Sequence, residues 1–172
     1  MKHRKPPVIR SSRLCLRALE DQDQDNMIEL LTDKTVAQTY MLPDFPDQKA
    51  AVALFERLRQ LSHAEDRFVY GIFTEDTLVG FLNDVEILED SVELGYAILP
   101  RQQNNGYATQ ALATAIEALF QLGYAAVHTG AFEENIPSIR VMEKCGMTRL
   151  EKVEDIDYRG KTHRCIFFEK RP

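Results

Sequence analysis

The residues whose types and spacing could do chemistry lie in one run, Glu93-Leu-Gly-Tyr-Ala-Ile-Leu-Pro-Arg-Gln-Gln-Asn-Asn-Gly-Tyr-Ala-Thr, which ends at Thr109. It passes from a strand pattern through a polar turn into the start of a helix, and that succession suits an anion such as a phosphate. A helix start offers unpaired backbone N–H groups and the positive end of the helix dipole, while Gly106 and the small Ala108 let an anion approach the backbone closely. One glycine near a helix start is also what an ordinary turn carries. The run is neither a P-loop nor a dinucleotide fingerprint, because it lacks the Lys-Ser/Thr ending and the three spaced glycines. Glu93, just before Gly95-Tyr96, reads by itself as a solvated strand carboxylate. Further on, Asn135 and Ser138 are polar groups at another helix start, where a cap and a first-turn serine are the plain alternatives.

The elements that must position these groups follow from periodicity. Arg13 to Leu19 alternates, with Leu14, Leu16 and Ala18 on one side, and reads as a first strand. Asp25 to Leu31 and Gln48 to Leu61 repeat their apolar residues at helical spacing (Met27, Leu30 and Leu31; Val52, Phe55, Leu58 and Leu61), with a loop marked by Pro43 and Pro46 between them. Phe68 to Phe73 and Thr77 to Leu88 read as an antiparallel hairpin turning at Thr74, Glu75 and Asp76. Val92 to Leu99 is a strand, residues 106 to 122 a helix ended by Gly123, and Tyr124 to Phe132 a strand. This β-α-β succession predicts a right-handed crossover between parallel strands. A shorter helix, capped by Asn135 with Pro137 in its first turn, runs to Lys144 before Gly146. Two last strands, around Met147 to Ile156 and Thr162 to Lys170, turn at Arg159 and Gly160.

Gln103-Asn-Asn-Gly106-Tyr-Ala108 resembles the Gln/Arg-x-x-Gly-x-Gly/Ala signature of the GNAT (GCN5-related N-acetyltransferase) superfamily. Asn135-Ile-Pro-Ser138, continuing to Glu143-Lys-Cys-Gly146-Met, is similar to its Asn-x-x-Ser followed by Glu-Lys-x-Gly-Phe. Ser12-Arg-Leu-Cys-Leu-Arg17 followed by Leu19 resembles the opening of the subgroup that holds the RimJ and RimL ribosomal-protein N-terminal acetyltransferases. The three blocks come in the family's order and extend the resemblance over about residues 10 to 169.

The resemblance implies an α+β fold in three layers, with a mixed, mostly antiparallel central sheet whose parallel β-α-β crossover splays to admit acyl-CoA. It implies an acyl-CoA N-acyltransferase, with acetyl-CoA as co-substrate, an amine as acceptor and no metal. Main-chain groups of Ala97, Ile98 and Leu99 would pair with the pantetheine amides, and the amides of Gln103, Asn104, Asn105, Gly106, Tyr107, Ala108 and Thr109 would hold the pyrophosphate. Glu93 would be the base, with Asp84 and Glu86 as reserves. Asn135 would bond the pantetheine or order a water, and Ser138 would protonate the leaving thiolate. Met142 stands where many members carry an acidic tyrosine. Tyr40, Phe45 and the Pro43 to Pro46 loop fall where the family builds its acceptor wall, while Tyr96 and Tyr107 read as packing residues and Cys145 as a buried thiol.

A peptide α-amine, with pKa about 7.8, is neutral in roughly one molecule of seven at pH 7. A lysine amine near 10.4 is neutral in about one of 2,500, a deficit of roughly 4.6 kcal/mol. An N-terminal acceptor, such as a ribosomal or other protein N-terminus, therefore needs less help from a base than a lysine or polyamine does, and a small-molecule amine (polyamine, amino acid or antibiotic) is the alternative acceptor. A module that binds acyl-CoA without turnover is the alternative of another class.

Composition bounds these readings. With 172 residues, 44% of them hydrophobic, the chain suits one domain, taken as residues 1 to 172. No apolar run approaches the roughly 20 residues of a membrane span, and Met1 to Pro7 leads into no apolar segment, so a cytoplasmic home is expected. Cys15, Cys145 and Cys165 suggest neither a disulfide framework nor a zinc site. A net charge of −6 makes nucleic acid a poor partner and favours small or cationic ones. Such domains often pair, so a homodimer is a further expectation.

Overall fold

The computed structural model describes residues 4–172; the leading Met1 to His3 of the basic N-terminal segment lies outside the described residues. Among the described residues eight strands form one sheet: β1 (Val8–Arg10), β2 (Cys15–Arg17), β3 (Tyr70–Thr74), β4 (Thr77–Ile87), β5 (Ser91–Ile98), β6 (Ala126–Phe132), β7 (Thr148–Tyr158) and β8 (Lys161–Lys170). Their order is β1-β2-β3-β4-β5-β6-β8-β7. Neighbours are antiparallel except β5 and β6, which are parallel and joined through α3 (Tyr107–Gln121). The other helices among the described residues are α1 (Gln24–Leu31), α2 (Gln48–His63) and α4 (Ile136–Lys144). None is long and apolar enough to cross a membrane.

Alternation along β5 divides the core. Leu94 and Tyr96 pack toward α3 with Ala111, Leu112 and Ala115. Ala97 and Leu99 pack the other way, with Met27, Leu30 and Phe55 of α1 and α2. Residues two apart share a face, so Glu93 and Gly95 lie on the α1/α2 side. Helices thus cover both faces, as the three-layer expectation holds.

The strand called over Arg13 to Leu19 is shorter and accompanied: only Cys15–Arg17 pairs, and β1 precedes it as an edge strand of three residues. So short a pairing leaves little alternation to read. The hairpin between β3 and β4 turns on Glu75 and Asp76 alone, Glu75 taking φ 53°, and the one between β7 and β8 on Arg159 and Gly160, with φ 53° and 74°. Two central residues with positive φ, as at the second turn, match the twist of a tight hairpin.

Candidate functional site

β5 and β6 pair only from Ser91↔Ala126 to Leu94↔Thr129. Beyond that, β5 stays with β4 as far as Gly80↔Ile98, while β6 stays with β8 as far as Phe132↔Cys165. The two strands therefore diverge like a fork, and one edge of β5 has no strand partner there among the described residues. Leu99 donates to Val79 O at 2.8 Å, and a β-carbon on Gly80 would stand 2.2 Å from Ala97 O. The main-chain groups of Ala97 and Leu99 therefore turn toward β4, and alternation turns those of Tyr96 and Ile98 into the fork. This amends the expectation for Ala97 and Leu99. Ile98 O in turn accepts from Gln103 Nε2 at 3.1 Å.

A cleft of about 540 Å³ occupies the fork. One wall is Tyr96 to Ile98, another the turn from Gln102 into α3, a third Asn135, Ser138, Arg140, Val141 and Lys144 of α4 and its cap, and Thr35, Thr39 and Tyr40 close the α1 side. At its outer end Gly106 takes φ 77° as the N-cap of α3, with no side chain capping the helix. The first amide used inside the helix is that of Gln110, to Gly106 O at 3.0 Å. Those of Tyr107, Ala108 and Thr109 precede it and are the orphan donors of a first turn. Of the expected amides, that of Gln103 is already bonded to Pro100 O, at 3.2 Å. The side chain of Asn105 also serves the turn, donating to Gln102 O, and Asn104 takes φ 64°.

Sequence reasoning missed the cations around this turn. Arg13 donates from Nη1 to Asn105 O at 2.8 Å and from Nε to Gln110 Oε1 at 2.9 Å, its guanidinium lying above the Tyr107 ring. Arg140 and Lys144 line the same cleft. Helical spacing placed both on α4, but nothing local in the sequence brings Arg13 to a turn 92 residues away.

At the closed end of the fork, Asn135 caps α4, its Oδ1 accepting from Ser138 N at 3.3 Å. Ser138 Oγ lies 2.7 Å from Tyr96 Oη. Burial holds the Tyr96 phenol well above the usual tyrosine range, so it stays protonated. Tyr96 packs against the α3 side of the core, as expected, and its hydroxyl also meets Ser138. Cys145 donates to Thr109 O at 3.4 Å, and burial pushes its thiol up to about 11.

Glu93 stands on the opposite face, opposite His128, one pair before the fork opens. It is half-buried, outside the lining of the cleft. Burial raises its carboxyl above the ordinary glutamate range; Glu86 and Glu154 add to this, and Lys152 and His128 oppose it. Asp84 does not share that face. A bulge between Asp84 and Glu86 breaks the alternation of β4, and Asp84, only 4% exposed, is bound to Arg67 at 2.7 Å. That corrects its reading as a reserve base or surface charge.

Gly95 connects the two faces. A β-carbon there would stand 3.2–3.4 Å from Asn83 Oδ1, Val85 Cγ2 and Tyr40 Cε2. Tyr40 Oη donates to Asn83 Oδ1 at 2.8 Å, its pKa pushed up to about 12 by burial. Tyr40 therefore borders the cleft. Pro43 and Phe45 instead line a separate groove with Ile28, Ala37 and Arg159. Among the described residues no group of three His, Cys, Asp or Glu side chains could hold a metal ion.

Comparison with known proteins agrees with this geometry. The sequence model of the Acetyltransferase (GNAT) domain matches residues 13–148. The chain is similar to two Bacillus subtilis proteins, the uncharacterized N-acetyltransferases YoaA, 24% identical over 91% of each chain, and YnaD, 30% identical over 82% of each. In structure it is similar to an acetyltransferase from Salmonella typhimurium described as modifying the N-terminal serine of a 50S ribosomal subunit protein. The TM-score is 0.82 at 17% identity, over 96% of this chain and 99% of the other.

Proposed function

The chain belongs to the GNAT acetyltransferase family, and from that premise we propose that it moves an acetyl group from acetyl-CoA to the α-amine of a protein N-terminus, as one N-acetyltransferase domain. The observation that carries this reading is the fork: an unpaired edge of β5 leads from the uncapped start of α3 to the hydroxyl pair of Tyr96 and Ser138.

In this reading the pyrophosphate rests on the first-turn amides of Tyr107, Ala108 and Thr109, where the helix dipole favours negative charge. Arg13, Arg140 and Lys144 add positive charge around it, which a chain of net charge −6 does not supply elsewhere by default. The pantetheine lies along Tyr96 and Ile98 as an added strand, with Asn135 at its inner end. The amine enters past Tyr40 and Gly95, from the face that bears Glu93. Its nitrogen bonds to the acyl carbon, the carbon–sulfur bond breaks with its electron pair going to sulfur, and the proton lost from nitrogen passes to Glu93 through water. Ser138 Oγ–H faces the departing sulfur. Positioning an already activated thioester is most of what such a site must do.

An α-amine suits this base. Glu93 is outside the cleft, and a carboxylate reached through water is weak help for a lysine but enough for an amine already partly neutral at pH 7. The likeness to an enzyme described as acting on an N-terminal serine supports the same choice.

The test is release of coenzyme A thiol from acetyl-CoA against N-terminal peptides, lysine-bearing peptides with blocked ends, polyamines and aminoglycosides. Turnover on free peptide N-termini is expected. Turnover confined to a polyamine or aminoglycoside would overturn the α-amine acceptor, and binding of acetyl-CoA with no turnover on any amine would replace the enzyme by a binding module.

A further inference from the structure

Tyr96 and Ser138 stand 42 residues apart in sequence and meet across the fork, one on β5 and the other in the first turn of α4. Tyr96 Oη is 2.7 Å from Ser138 Oγ and 3.4 Å from Ser138 O. The ring packs against the α3 side of the core, and burial keeps the phenol protonated. Either hydroxyl can donate across this contact; the donor is assigned to Tyr96, because a phenol is a far stronger acid than an aliphatic alcohol.

That direction decides what Ser138 can do. A first-turn serine ordinarily turns its hydroxyl back to a carbonyl three or four residues earlier. Here Ser138 Oγ has Tyr96 as its partner among the described residues, and its own N–H is engaged by Asn135 Oδ1. With one lone pair of Oγ occupied by Tyr96, the serine hydrogen is free to point into the cleft that both residues line.

We propose that Tyr96 is a positioning residue, which orients the Ser138 hydroxyl as a hydrogen-bond donor to the sulfur that leaves during acyl transfer. The inference rests on the acetyl-transfer reading of the cleft. As the new carbon–nitrogen bond forms and the carbon–sulfur bond breaks, the electron pair settles on sulfur and Ser138 donates to it. Tyr96 does not relay a proton through Ser138, because a phenolate left in its buried setting would be costlier than the solvated thiolate. The thiolate takes its proton from water.

The test is steady-state kinetics of Tyr96→Phe, Ser138→Ala and the double variant on the amine that the wild-type chain acetylates, with thermal protection by acetyl-CoA measured alongside. Phenylalanine keeps the ring in the core and removes one oxygen. Each single variant should lower kcat by about 10²-fold, as loss of one preorganised donor does, with KM for acetyl-CoA and thermal protection little changed. The double variant should be no slower than Ser138→Ala, because Tyr96 acts only through that hydroxyl. A Tyr96→Phe variant with wild-type kcat would overturn the inference, as would losses that multiply in the double variant, which is what a mere strut between β5 and α4 predicts. Absence of turnover in the wild-type chain would overturn the transfer reading itself, and the inference with it.

Discussion

A half-buried carboxylate with no hydrogen bond among the described residues is a strained choice for stability, and Glu93 is one. Its pKa is raised in the fold, so between the ordinary glutamate value and the raised one the native state binds more protons than the unfolded chain. Stability therefore falls as pH rises through that window, and the cost persists above it. Glu93→Gln removes the charge and keeps the shape. At pH 7 it should melt higher than the wild type, by about 2–4 °C for each kcal/mol relieved, and the gain should vanish below the ordinary glutamate pKa. The same variant should lose about 10²–10³-fold in kcat, as expected when a general base is removed. Melting curves across pH and one kinetic assay check both; a variant that is fully active, or less stable at pH 7, would contradict the role. Glu93 was singled out in the sequence by the resemblance of its run to the family's strand. Tyr96 was not, since a tyrosine in a strand looks like core until the distant serine it bonds is in place.

At the scale of elements, the fork depends on what holds its two sides apart and together. On the far side the β7–β8 hairpin reaches across to the segment after α1: Tyr158 Oη donates to Ala37 O at 2.6 Å and accepts from Leu42 N at 3.0 Å, and Arg159 pairs with Asp44. Tyr158→Phe leaves the buried Leu42 amide without that partner, at a cost of about 1–3 kcal/mol. Thermal unfolding should show a fall of roughly 2–4 °C per kcal/mol, with acetyl-CoA affinity unchanged because Tyr158 is not part of the cleft. An unchanged melting temperature would mean that the hairpin tip does not tie the α1 side down. The helices and the crossover were legible from apolar spacing and from Asn135, Gly106, Gly123 and Gly146 at their ends. The fork was not a matter of periodicity: β5 alternates without a break, and the loss of pairing after Leu94 is set by how β4 and β8 draw the two strands apart. The bulge that turns Asp84 away was hidden for the same reason, since one extra residue in a strand changes no residue type.

Over the whole molecule, helices cover both faces of the sheet, and where β5 and β6 part the cleft gathers Tyr96, Asn135, Ser138, Arg140 and Lys144, with Glu93 outside it on the other face. The surface carries net negative charge, yet the mouth of the cleft collects Arg13, Arg140 and Lys144 beside uncapped helical amides. The most direct test of this account is calorimetric titration of acetyl-CoA into the wild-type chain and into Gly106→Ala, whose added carbon would be strained at φ 77° and would stand 3.1 Å from Arg13 Nη2. The account predicts saturable one-to-one binding by the wild type, weakened about tenfold or more in the variant, since a penalty of about 1–2 kcal/mol falls on the turn that presents the amides. No binding by the wild type, or equal binding by both, would contradict it.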